Sequence, residues 1–98
     1  MTFELFQAEI GTWAKHTFPG STDKAKLLHL QKEVQELQSA TTPDAMKEEA
    51  ADCLLILLHF CDAHGFSLLE AAKAKHEINR KRKWGLPDKD GVVEHVRD

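Results

Sequence analysis

The sequence predicts an all-α protein: four helices in one domain over residues 1–98. Three observations carry this. Apolar residues recur at three- and four-residue steps through four segments. Ser or Thr stands at the head of each segment, where an N-cap belongs. No stretch alternates with the period of two that a half-buried strand requires.

The first helix is expected from about Phe3 to Lys15, capped by Thr2, with Phe3, Phe6, Ile10 and Trp13 as its apolar stripe. Gly11 weakens it by about 1 kcal/mol relative to Ala and permits close approach of another group. Pro19-Gly20 marks a turn. The second helix is expected from about Asp23 to Ser39, capped by Ser21 or Thr22, with the seam Leu27, Leu30, Val34 and Leu37. Thr42-Pro43 opens the third, which should run to about His64 and stop at Gly65. Its later half, CLLILLHFC, is apolar nearly all round, so every face needs a cover that so short a chain lacks. A partner copy is therefore expected. Ser67-Leu68-Leu69-Glu70 reads as a capping box for the fourth helix, reaching about Trp84. The tail should be loop, with a helical turn around Val92 to Val96.

Composition removes several classes of function. A net charge of −3 argues against a nucleic-acid polymer as partner. The longest apolar run, Cys53–Cys61, is far below the roughly 18 residues of a membrane span, and the N-terminus lacks the pattern of a signal peptide. Cys53 and Cys61, eight residues apart on one helix, sit roughly 12 Å apart, too far for a disulfide. Free thiols and the missing leader point to the cytoplasm. The six histidines form no HExxH motif, and no phosphate-binding glycine loop or GxSxG elbow is present.

Chemistry is concentrated in four acids. Glu33 and Glu36 in KEVQEL, and Glu49 and Asp52 in EEAAD, are each spaced i, i+3, which places each pair on one helix face. Alone, the first pair reads as a solvated face and the second, with Glu48, as charge favourable to a helix start. Together, on adjacent helices, they converge on one groove, and an oxygen-only set suits Mg²⁺ or Mn²⁺. Asp52 also begins the apolar run, where an acid needs a partner. His29, one turn before Glu33, can orient it. Lys75, Asn79 and Arg82 share one face of the fourth helix and offer the donors a polyphosphate needs. Trp13 is a candidate for stacking on a nucleobase.

KEVQEL, then EEAADCLLILL, then K-x-x-x-N-x-x-R-x-W (Lys75, Asn79, Arg82, Trp84) resembles the MazG-like all-α nucleoside triphosphate pyrophosphohydrolases. Twelve residues separate the ExxE and ExxD pairs. The HLQKE start and EHVR ending are most similar to the dATP/dGTP pyrophosphohydrolase subgroup. The resemblance implies a four-helix bundle-like protomer in a homodimer or dimer of dimers. It implies Mg²⁺, with Mn²⁺ as the other possibility, on Glu33, Glu36, Glu49 and Asp52. It also implies cleavage of a (d)NTP, a purine dNTP such as dATP or dGTP, to the monophosphate and pyrophosphate. Lys32 stands where many members carry a further acid, which leaves Glu48 as the extra ligand or general base. The competing reading is a non-catalytic helical dimerisation module whose acids are merely solvated.

Overall fold

Four hydroxyl side chains set where the helices begin. In the computed structural model, which describes residues 1–96, the elements are α1 (Phe3–Thr17), α2 (Asp23–Ser39), α3 (Pro43–Ala63) and α4 (Leu68–Lys81). Thr2, Thr22, Thr42 and Ser67 each accept the amide of the residue three further on, at 3.1–3.2 Å, satisfying a donor that the first turn leaves open. Gly65, at φ 77°, ends α3. Its amide returns to Asp62 and that of Phe66 to Cys61, the paired bonds of a Schellman stop. After it α4 leaves at 102° to α3.

α3 is the shared element: α2, α1 and, less extensively, α4 pack against it. The chain doubles back between α2 and α3, so that Asp23 at the start of α2 meets His64 at the end of α3, at 2.8 Å. Among the described residues the deepest side chains are Ala14, Leu58 and Cys61, with the polar Gln7 and Lys26.

Two expected stripes are rotated. α1 buries Gln7, Gly11 and Ala14, while Trp13 lies 56% exposed and Phe3, Phe6 and Ile10 are half-buried. Small residues at the contact let α1 approach α3 closely, and a Cβ at Gly11 would overlap the Asp62 carboxylate. On α2, Lys26 is buried while Leu27 and Val34 are exposed. The inner ridge is Lys26, Leu30, Glu33 and Leu37, because that line faces α3. The large apolar groups left outside give the chain 7692 Å² of accessible surface, against about 5,700 Å² for a folded monomer of 11.1 kDa. Its radius of gyration is 16.0 Å, against about 13 Å for a compact domain of this length.

The tail also departs from expectation. α4 stops at Lys81 rather than near Trp84, and the segment around Val92 to Val96 is not helical. It turns back on Asp88, whose carboxylate accepts the amides of Asp90 and Val92. Trp84 then bridges His95 in antiparallel fashion, backed by bonds from Gly85 to Glu94 and from Val96 to Lys83. Arg97 of the EHVR ending lies outside the described residues. Among the described residues no single helix is long and apolar enough to cross a membrane.

Gln7 ties α1 to the α3–α4 turn. Its amide nitrogen donates to the Phe66 carbonyl at 2.8 Å and its oxygen accepts the Leu68 amide at 2.9 Å. Gln7→Ala strands both main-chain groups and is expected to cost about 2–3 kcal/mol, measured by urea unfolding. A change within experimental error would show that water satisfies the turn instead.

Candidate functional site

Three of the four predicted acids converge. Glu33 and Glu36 from α2 and Glu49 from α3 each offer a carboxylate oxygen within 4.8 Å of the others. The i, i+3 spacing aims the first two at α3, and the reversal of the chain brings Glu49 to meet them. Glu33 is nearly covered, its side chain 13% exposed, and His29 Nε2 lies 3.2 Å from its Oε1, the orienting contact expected of His29. The Oε2 atoms of Glu33 and Glu49 are buried with no hydrogen-bond partner.

Such a set cannot hold three full negative charges cheaply. The carboxyl of Glu49 rises from an ordinary 4.5 to about 7. The causes, largest first, are a hydrogen bond shared with Glu36, loss of solvent, a hydrogen bond shared with Glu33, and the charges of Glu36 and Glu33. Buried oxygens without partners, from an all-carboxylate set, fit a hard divalent cation. Asp52, half-buried and one turn beyond Glu49, stands outside this triad. Glu48 is exposed and also outside it.

Beside the acids lies a cavity of about 370 Å³. Glu33 and Asp52 line it, together with His29 and Lys26 from α2, Trp13 and Ala14 from α1, and Leu55, Ile56 and His59 from α3. Phe18 and Ser21, from the turn between α1 and α2, also line it. Trp13 and Phe18 meet edge to face at 5.4 Å, and Phe18 tilts over His59 at 6.4 Å. His59 is held below its usual value, first by burial and then by the Lys26 charge.

The α4 residues are placed elsewhere. Lys75 is exposed, Arg82 Nη1 lies 3.4 Å from His95 Nδ1, and none of Lys75, Asn79 and Arg82 lines the cavity. Asn79 Oδ1 is buried without a partner, while its main-chain oxygen accepts Trp84 Nε1 at 3.0 Å. Neither Lys26 nor His59 belongs to a motif that the sequence analysis singles out. The signal for both was spacing: Lys26, His29 and Glu33 share a stripe of α2, as Asp52 and His59 share one of α3.

A pH dependence follows for the metal-free protein. The folded-state value of Glu49 lies above its ordinary one, so its contribution to stability is complete below about 4.5 and is lost as pH rises through about 7. In chelator, wild type should therefore gain more on going from pH 8 to pH 5 than Glu49→Gln does, read as the difference between their melting temperatures. Parallel profiles for the two proteins would mean that the carboxyls share no proton.

A family model described as dATP/dGTP pyrophosphohydrolase matches residues 6–98. Two relatives are each described as a dATP/dGTP diphosphohydrolase. One, from Salmonella phage PMBT28, is 37% identical over 94% of the chain, which spans only 31% of that protein. The other, from Cyanophage S-2L, is 33% identical over 97% of the chain and 89% of its own length. Among solved structures, a Cyanophage S-2L MazG-like pyrophosphohydrolase bound to dGDP and three catalytic Mn²⁺ ions per active site superposes with a TM-score of 0.84. The pair is 29% identical, covering 100% of this chain and 96% of that one.

Proposed function

The chain belongs to the dATP/dGTP pyrophosphohydrolase family, and on that premise we propose that it hydrolyses a purine dNTP to the monophosphate and pyrophosphate. The observation that carries this is the triad Glu33, Glu36 and Glu49 with two unpartnered buried oxygens, whose Glu33 also lines an aromatic-walled cavity.

Glu33, Glu36, Glu49 and Asp52 would hold Mg²⁺ or Mn²⁺. A divalent cation there supplies charge neutralisation for phosphate oxygens and a water of lowered pKa. A carboxylate of the cluster accepts the proton of the attacking water as the new P–O bond forms and the anhydride P–O bond breaks. Glu48, on the solvent side of α3, serves as an outer relay for that proton. His29 fixes the orientation of Glu33, and Trp13 stacks on the base. Lys75, Asn79 and Arg82 form the anion-binding face. Because α4 leaves α3 at 102°, that face meets a nucleotide through association of chains.

The test is a panel of the common NTPs and dNTPs with Mg²⁺ or Mn²⁺, with products separated by chromatography. Turnover of dATP or dGTP to monophosphate and pyrophosphate is expected. Glu36→Gln should lower it by about a hundredfold, the upper end of the loss seen when a metal ligand's support is removed. An inactive wild type whose melting temperature ignores both metals would sink the proposal in favour of a non-catalytic module.

The chain is further proposed to work as a homodimer or homotetramer in the cytoplasm. Its excess surface of roughly 2,000 Å² over a compact monomer matches one side of a large obligate interface. Cys53 and Cys61 are free thiols, as a reducing compartment favours. Sedimentation at micromolar concentration should give an assembly of two or four chains, and a stable monomer would contradict it.

A further inference from the structure

Lys26 is a buried cation that the hydrolytic mechanism leaves unused. It is 6% exposed. Among the described residues its ammonium makes one hydrogen bond, to the Ser21 carbonyl at 3.0 Å, and no ion pair. An ammonium carries three donors, and a buried charge is costly unless it is paired. Its position in the first turns of α2 adds to that cost, because the positive end of the helix dipole opposes a cation.

Its place in the cavity accounts for the cost. Lys26 and Glu33 line the same trough seven residues apart on α2, about 10 Å along the helix. On α3, His59 and Asp52 repeat that spacing. The trough therefore has an acidic end and, two turns away, an end made of Lys26, His59, Trp13 and Phe18. A nucleotide whose phosphates lie at the acids puts its base at the aromatic end.

Resting on the hydrolase reading above, we propose that Lys26 reads the base: its ammonium donates to ring nitrogen N7 of a purine that stacks on Trp13 and meets Phe18 at its edge. Adenine and guanine differ at the neighbouring exocyclic position, an amine donor in one and a carbonyl acceptor in the other, but both present N7 as an acceptor. A donor-only group directed there accepts both purines. Pyrimidines offer no equivalent atom.

The test is steady-state hydrolysis of dATP, dGTP and their 7-deaza analogues, in which N7 is a carbon, by wild type, Lys26→Met and Lys26→Arg. Met keeps the apolar stem and removes the donor, Arg keeps a donor, and melting curves confirm that each variant is folded. Wild type should lose on the order of tenfold or more in kcat/KM between each purine and its 7-deaza form, mostly through KM. Lys26→Met should process parent and analogue alike, and Lys26→Arg should keep part of the gap. If wild type handles both forms equally, the proposal is overturned. It is likewise overturned if Lys26→Met falls by one factor on every substrate yet still separates parent from analogue, which marks a phosphate contact or a structural tether. Wild type inactive on dATP and dGTP themselves defeats the hydrolase reading, a result distinct from both.

Discussion

Repulsion among Glu33, Glu36 and Glu49 is the constraint on which the structure turns. Like charges within 4.8 Å oppose folding in a small domain whose total stability is only about 5–15 kcal/mol. Two responses are open to the chain. Without metal it keeps a proton, which is why Glu49 is raised to about 7. With a divalent cation the same groups become ligands, and the energy stored in their proximity returns as affinity. Both responses require the helices to resist spreading, and that resistance lies in α3, which α2 and α1 both grip.

The grip depends on small and polar groups more than on a large apolar core. Gly11 lets α1 settle onto Asp62. Gln7 closes two main-chain valences at the head of α4, and His64 meets Asp23 where α2 starts. Leu58 is the one large side chain buried completely among the described residues. Precision of position is thus supplied by directional contacts, while much of the apolar surface faces outward. This division agrees with the association of chains proposed above.

Much of this was legible in the sequence. The caps, the Gly65 stop and the four helices follow from local chemistry that tertiary contacts rarely override. The acid pairs could be read because i, i+3 spacing survives any rotation of the helix. Rotation itself was not legible. Hydrophobic periodicity placed Phe3, Phe6, Ile10 and Trp13 inward on α1, yet the contact face is Gln7, Gly11 and Ala14; interhelical distance, set by small residues, decided it. Lys26 escaped notice for the same reason, since a lysine beside a leucine seam reads as surface until the ridge facing α3 is known. Asp52 shares the acid spacing and lines the cavity beside Glu33, and its place outside the triad depends on side-chain direction that spacing does not encode.

The turn between α1 and α2 supplies Phe18 to the cavity wall and the Ser21 carbonyl that holds Lys26, yet it contributes none of the four acids. On the proposed reading, the wall of the cavity near the base is therefore built partly from a segment that carries none of the acids. Surface turns accept insertions and substitutions more readily than the helices they join. Under that reading, changes in the turn that carries Phe18 and Ser21 would reshape the cavity wall while leaving the positions of the four acids untouched.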